Sequence, residues 1–389
     1  MDSIQVMAKN NSSQITVGIL GGGQLARMTA AAGYKLGLLI AILDPEPDSP
    51  AQQLANIKVV GSLDDVSGLE DIALISNLLT LENEFVNAPL LEHVESLGVT
   101  IYPTARTVGL IQDKLFQKWS LQSNAIDVPP FIEVSSPKEI VDAGKGFGWP
   151  LLLKARRNGY DGRGNELING PDETTKSWSK LDGENRSLMV EAFIRFKKEL
   201  AVMVARTPNG DTVTYPVVET VHKNHICHVV KAPADIDEAV CEMAAAIALR
   251  AVETVDGIGI FGVEMFLLDD DRILINEIAP RPHNSGHYTI EACVTSQFEN
   301  HLRAILGLPL GSASMVSPAA VMVNLLADGS GVSNITGVDK ALWIPGVNLH
   351  LYGKKTTRPN RKMGHITVLG GTVDEAQEKA VKAAGFISF

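Results

Sequence analysis

The chain has 389 residues, 45% hydrophobic and 20% charged, with 34 Lys plus Arg against 45 Asp plus Glu for a net charge of −11. At ~150 residues per domain this length predicts two to three domains, with core enough to need no disulfide or metal staple, and the composition excludes wholesale disorder. So acidic a chain lacks the broad basic surface of a general nucleic-acid binder, and an anionic ligand has to be caught by a local cluster.

The three cysteines, Cys227, Cys241 and Cys293, form no Cys-x-x-Cys pair, which argues against a disulfide scaffold or zinc ribbon and for a reducing compartment. Residues 1–14 lack the apolar region of a signal peptide, and the stretch 36–43 is far short of the ~20 residues that span a bilayer. A cytoplasmic protein with no membrane and no nucleic-acid partner is expected.

In chain order, ITVGIL (15–20) reads as a buried strand, followed by GGGQLAR and a helix to about Gly33. Strands are expected at 38–43, 57–60, 72–75 and 99–102, and their alternation with helical text argues for a parallel sheet. One helix is expected over 108–123, ended by Val128-Pro129-Pro130. Strand 151–155 (LLLKA), a glycine-rich loop and strand 166–168 follow, then strands 188–194 and 199–206 and a helix over 237–255. Segments 257–268 and 272–278 read as a hairpin with an acidic turn. The Gly/Ser/Pro-rich stretch 307–319 marks a boundary, and a terminal helix covers Val373–Ala384. Trp119, Trp149, Trp178 and Trp343 read as packing.

Five segments carry chemistry. Gly21-x-Gly23-x-x-Ala26 after a strand, with Asp44 ending the next strand, suits a dinucleotide pyrophosphate, another anion such as a sugar phosphate, or simply the tight turn of a doubly wound sheet. Lys154 followed by Asn158-Gly159-Tyr160-Asp161-Gly162-Arg163-Gly164-Asn165 suits a mobile polyphosphate-covering loop, with a plain hairpin as the bland alternative. No Walker A pattern occurs. If Asp270-Asp271 is a two-residue turn, Glu264 lies opposite Glu277. Two bare carboxylates ~4 Å apart repel by about 4 kcal/mol at an effective dielectric of 20, a conflict that Mg²⁺ between them removes. A slipped register would instead expose one acid. The stretch from Asn276 to His287 (NEIAPRPHNSGH) is a rigid loop that can place donors on a developing oxyanion. Residues 352–365 (YGKKTTRPNRKMGH) hold five positive charges and no acid, an anion trap or a solvated basic turn. His222 and His225 in ETVHKNH are weak evidence of a metal site.

In this order the segments resemble the ATP-grasp superfamily, and GILGGGQLARM, QDKLFQK, GYDGRGN, VEAFI, NEIAPRPHNSGH and YGKKTTRPNRKMGH resemble, within it, the N5-carboxyaminoimidazole ribonucleotide synthetases, the ATPase component of phosphoribosylaminoimidazole carboxylase. The resemblance runs from about residue 15 to 385. It implies an α/β and α+β chain with an ATP-grasp fold. A doubly wound, Rossmann-like domain over 1–107 precedes an ATP-grasp domain over 108–308, whose mobile lid covers about 124–190, and a small β-rich domain covers 309–389. It implies an ATP- and Mg²⁺-dependent ligase that carboxylates 5-aminoimidazole ribonucleotide with bicarbonate through carboxyphosphate. Such a ligase would be a homodimer, in some organisms fused to or working with the mutase that acts next.

Carried over by motif, Lys114 and Lys154 would hold the ATP phosphates, covered by the loop from Gly159 through Gly162 and Gly164 to Asn165. Glu191, Ala192, Phe193 and Ile194 would read the adenine edge, Glu199 would meet the ribose, and His222 would approach the nucleotide. Asn276 and Glu277 would lie at the phosphates, with Glu264 and Glu277 on Mg²⁺. Arg281, His283 and Asn284 are the candidates for bicarbonate or carboxyphosphate. Gly22, Gly23, Gln24 and Leu25 would face the ribonucleotide's sugar phosphate, Glu82 the aminoimidazole, and Lys354 and Arg361 the 5′-phosphate, with Tyr160, Asp161 and Arg163 closing over it. Leu81 stands where the family often has an aromatic residue. Another ATP-grasp ligase of purine synthesis, an NAD-dependent oxidoreductase built on Gly21 and Asp44, and a non-catalytic nucleotide-binding regulator are the alternatives.

Overall fold

The computed structural model describes residues 14–159 and 164–389. Tyr160, Asp161, Gly162 and Arg163 therefore lie outside the described residues.

After Thr16 the run VGIL carries no polar side chain, as suits a strand covered on both faces, and Thr16–Leu20 is buried throughout. It is central to a parallel sheet whose order is Ile57–Val60, Leu39–Asp44, Thr16–Leu20, Leu78–Leu81, Thr100–Ile101. The strand order reverses between Thr16–Leu20 and Leu78–Leu81. In such a sheet the crevice beyond the carboxyl ends of those two strands is where ligands bind. Gly21–Leu25 leave one strand there and Glu82 leaves the other.

The strand expected at 72–75 is instead the end of a helix, Val66–Ile75, and the sheet strand follows at Leu78–Leu81. Asp65 caps this helix by accepting from Ser67 N at 3.2 Å, and Leu69, Ile72 and Ala73 bury one face at helical spacing. The single helix expected over 108–123 is two, Ala105–Gln112 and Lys114–Ser123. Asp113 breaks it. Its extended backbone ends one helix, and its side chain caps the next by accepting from Leu115 N at 3.1 Å. The break turns Lys114 into the cleft.

Strands Phe131–Val134, Leu188–Ala192, Leu151–Ala155 and Asn165–Ile168 make an antiparallel sheet backed by helices Pro137–Phe147 and Thr174–Lys180. The larger antiparallel sheet runs Ile273–Ala279, Gly259–Leu267, Lys198–Arg206, Val218–Lys223, Ile226–Ala232, Ala319–Leu326, Lys362–Gly370, Val347–Leu351, with Thr212–Thr214 beside Lys198–Arg206. Val229 pairs with Val323 across the middle, so the strands after the 307–319 stretch continue the same sheet as the acidic hairpin. The helix Glu238–Thr254 covers this sheet, packing Val240, Ala244, Ala248, Ala251 and Val252 into its largest core cluster. Helix Val373–Ala384 forms as expected, capped by Thr372.

Trp178 is buried, but Trp343 is 82% and Trp119 45% exposed, so packing accounts for only part of the tryptophan set. Trp119 tilts against Phe116, their ring centroids 5.7 Å apart.

Candidate active site

A cleft of about 1710 Å³ opens between the three sheets. Of the described residues to which the resemblance gives a site role, every one except Gly164 lines it, whereas Gly21 and Ala26 of the glycine motif do not. Gly164, at φ +80°, ends the glycine loop, and its carbonyl accepts from Ala155 N at 2.8 Å.

One end is rich in paired acids and lysines. Lys154 Nζ donates to Glu191 Oε2 at 2.7 Å, and Lys118 Nζ lies 3.1 Å from Glu191 Oε1. Lys118 and Glu191 side chains are each 2% exposed. Burial pushes Glu191 up, but Lys118 and Lys154 outweigh it and hold it below the usual carboxylate range. Burial pulls Lys118 down to about 8. Lys118 also donates to Asn276 O at 3.1 Å, tying the helix Lys114–Ser123 to the acidic hairpin. This lysine follows Lys114 by four residues and so shares its helix face, a spacing that could have nominated it.

The hairpin pairs Glu264 with Glu277 as expected, by an unexpected route. Its turn is not the two-residue Asp270-Asp271. Leu268 N donates to Arg272 O at 2.9 Å, Asp271 sits at φ +60°, and the loop is residues 269–271. Near the turn the register is accordingly displaced by one, with Met265 opposite Ile275. A bulge at Asn276 then restores it. Lys114 Nζ is ion-paired with Glu277. Burial pulls Lys114 down, yet Glu277 holds it above its ordinary value. Burial and the facing Glu277 push Glu264 up, whereas for Glu277 the pull of Lys114 overcomes burial and keeps it ionised. His222 pairs with Glu199 on the neighbouring strands. Phe193 and the stacked Phe196–Phe266 pair, centroids 4.8 Å apart, supply apolar surface beside them.

The loop after the hairpin is held from behind. Gln297 grips the His283 backbone at both N (2.9 Å) and O (2.8 Å). His283 Nδ1 meets Ser285 Oγ at 2.8 Å, and its Nε2 lies 3.4 Å from Glu264 Oε1. Burial, with Arg281 nearby, lowers His283 to about 3 and leaves it neutral. Asn284 exchanges amide hydrogen bonds with Asn324, at 2.9 and 2.6 Å. Arg281 is bidentate on Glu84, with Nη2 to Oε1 at 3.0 Å. Glu84 and Asn324 were not singled out from the sequence. The second acid of Thr80–Glu84 and a lone Asn in the apolar AAVMVNLL were their signals.

The other end is the switch-point crevice. Gly21, at φ +101°, makes the turn. A Cβ on Gly23 would collide with Glu82 Oε1, so only glycine lets that carboxylate approach. Helix Gln24–Lys35 starts at Gly23, which has no side chain to cap it, and presents its N-terminus to the cleft, where Glu82 Oε1 accepts from Leu25 N at 3.3 Å. Asp44 Oδ2 accepts from Gly22 N at 2.7 Å and Oδ1 from Glu46 N at 2.8 Å. That carboxylate is committed to the glycine turn instead of a ribose, which weakens the dinucleotide alternative. Across the gap, Lys354 Nζ donates to Lys362 O at 2.8 Å, and Arg361 Nη1 to Thr356 O at 2.8 Å. Burial, then Arg361, lowers Lys354 to about 7. His225, at φ +63°, sits in the tight turn after His222.

Among the described residues no group of three or more His, Cys, Asp or Glu is placed to hold a metal. The hairpin offers two opposed carboxylates, and a hard divalent ion takes one or two such ligands when phosphate oxygens complete its shell. The donor set fits Mg²⁺ accompanying a polyphosphate. Among the described residues no helix is long and apolar enough to cross a membrane.

Three family models match: a ribonucleotide synthetase preATP-grasp domain over residues 14–112, an ATP-grasp domain over 119–298, and a phosphoribosylaminoimidazole carboxylase C-terminal domain over 320–379. A phosphoribosylaminoimidazole carboxylase of Candida glabrata is 45% identical over 374 residues, 94% of this chain, but the chain spans just 65% of that relative's length. An N5-carboxyaminoimidazole ribonucleotide synthase of Synechococcus elongatus is 40% identical over 353 residues, 90% of this chain and 89% of the relative. The crystal structure of N5-carboxyaminoimidazole synthase from Aspergillus clavatus with ADP and 5-aminoimidazole ribonucleotide superposes with a TM-score of 0.87 at 37% identity, covering 96% of this chain and 98% of that one. With the lysine-clamped acids, the two-carboxylate hairpin and the helix N-terminus at Gly23 in one cleft, the chain belongs to the N5-carboxyaminoimidazole ribonucleotide synthetase family of ATP-grasp ligases.

Proposed function

We propose that this chain uses ATP to join bicarbonate to the exocyclic amine of 5-aminoimidazole ribonucleotide, giving N5-carboxyaminoimidazole ribonucleotide, ADP and phosphate. The observation that carries this is the continuity of the cleft, which runs from Lys154 and Glu277 to Gly23 and Lys354 without a wall between. A bicarbonate oxygen attacks the γ-phosphorus, the bond to the β-phosphate oxygen breaks, and ADP leaves. The amine nitrogen then attacks the carboxyl carbon, directly or as CO₂, phosphate departs, and the amine gives up a proton.

This chemistry needs charge and positioning more than a covalent nucleophile. Lys114 and Lys154, both lining the cleft, suit the transferred phosphoryl oxygens. The glycine loop suits exclusion of water, which would destroy carboxyphosphate. Glu264 and Glu277 would hold Mg²⁺, which neutralises polyphosphate charge when bound. The guanidinium of Arg281 and the neutral ring of His283 suit a small planar anion beside them. The N-terminus of helix Gln24–Lys35, Lys354 and Arg361 suit the ribonucleotide's phosphate, with Glu82 toward its base.

ADP release by the purified chain with ATP and bicarbonate, with and without the ribonucleotide, tests this. ADP formation that requires the ribonucleotide supports it. ADP formation that ignores it and answers to another amine would assign a different ligase of this fold.

A further inference from the structure

The segment between the two ends of the cleft has every acid committed. Glu82 accepts from Leu25 N at 3.3 Å and from Asn83 Nδ2 at 2.9 Å. Asn83 Oδ1 closes a turn onto Phe85 N at 3.0 Å. Glu84 grips Arg281 through two guanidinium nitrogens, while Arg281 Nη1 is held by Pro282 O at 3.2 Å. The Glu84 carbonyl accepts from Gln112 Nε2 at 2.6 Å, on the helix that ends at Asp113 just before Lys114. A bidentate pair fixes the plane of a guanidinium as well as its place. Both side chains are recessed, at 16% and 21% exposure, so the pair is not a solvent-screened surface bridge.

We propose that Glu84 is a positioning residue that couples occupancy of the ribonucleotide end to the use of carboxyphosphate, by tying the Arg281 guanidinium to the Glu82 turn. This rests on the proposed function. Glu82 and Glu84 flank Asn83, which bonds the Glu82 carboxylate and closes the turn onto Phe85 N, so a ligand that settles against Glu82 also sets the arm that orients Arg281. Without the arm, Arg281 holds its anion whether or not the amine is present. Carboxyphosphate that misses the amine takes up water, breaking its phosphorus–oxygen bridge and returning bicarbonate and phosphate.

Glu84→Gln keeps the shape and removes the charge. The test follows ADP and carboxylated product in parallel while the ribonucleotide is varied, beside the unaltered chain as a control. The expected result is a fall of about tenfold in product per ADP, ADP release that no longer requires the ribonucleotide, and a KM for ATP within about twofold of the control. ADP and product that fall together, with their ratio unchanged, would overturn the proposal and leave a structural pair. A double substitution, Glu84→Gln with Arg281→Gln, adds a second measure. If Glu84 acts through Arg281, the double variant is no worse than Arg281→Gln alone, and multiplied losses contradict that. A control chain whose own ADP release ignores the ribonucleotide would instead defeat the proposed function, leaving the two failures distinguishable.

Discussion

The two ends of the cleft meet anions in opposite ways. At the hairpin end each lysine is already matched with a carboxylate: Lys114 with Glu277, and Lys118 and Lys154 with Glu191. At the switch-point end, Lys354 and Arg361 donate to backbone carbonyls, and among the described residues neither has a carboxylate partner. A polyphosphate arriving at the first end exchanges partners within a neutralised network. A phosphate arriving at the second meets charge held in waiting, and burial plus mutual repulsion lowers Lys354 to about 7 until it comes. The first arrangement suits a ligand that brings its own cation. The second suits one that does not.

Changes at the hairpin end should cost most. Glu277→Gln is expected to cut the rate of ADP release by about a thousandfold, since it strips one of two carboxylates from the proposed phosphoryl-transfer centre. Retained folding by circular dichroism with activity near that of the unaltered chain would break the assignment. At the other end, Lys354→Met should lower kcat/KM for the ribonucleotide by about a hundredfold, the worth of a hydrogen bond to a charged group. The KM for ATP should stay put, and a matching rise in it would blur the distinction between the ends. Lys118→Met should raise the KM for ATP by about tenfold and lower stability by about 3 kcal/mol, because Glu191 loses one of two buried partners. Denaturant unfolding and initial rates measure the two effects separately.

The smallest effect is a pH dependence. Lys354 titrates near 7, is a cation below that value, and loses its charge above it. Phosphate affinity needs the cation, so kcat/KM for the ribonucleotide should decline as pH rises past about 7, approaching tenfold per unit at the limit. In Lys354→Met that decline should vanish. A profile that keeps it would place the titrating group elsewhere.

Much of this site was legible because its chemistry sits in short contiguous segments. Strands written as short, mainly apolar runs, such as Thr16–Leu20, are legible, and so is the terminal helix with its Thr372 cap. What failed was local punctuation. IALI carries β-branched residues but completes the buried stripe of a helix that Asp65 starts, and the Asp113 break lies within a run of continuous helical periodicity. The hairpin is instructive because the facing of Glu264 and Glu277 was foreseen from a turn that does not form. A longer turn and a bulge at Asn276 cancel, and neither leaves a mark in the sequence. Contacts between distant segments were equally silent. Glu84 meets Arg281 across 197 positions, and Asn284 meets Asn324 across 40.

The most direct test of ATP-driven carboxylation in this cleft follows oxygen from bicarbonate labelled with the heavy isotope. Attack of a bicarbonate oxygen on the γ-phosphorus predicts that each phosphate released in the presence of the ribonucleotide carries one labelled oxygen. Phosphate released without label, at a rate equal to that of product formation, would contradict carboxyphosphate as the species that links the two ends.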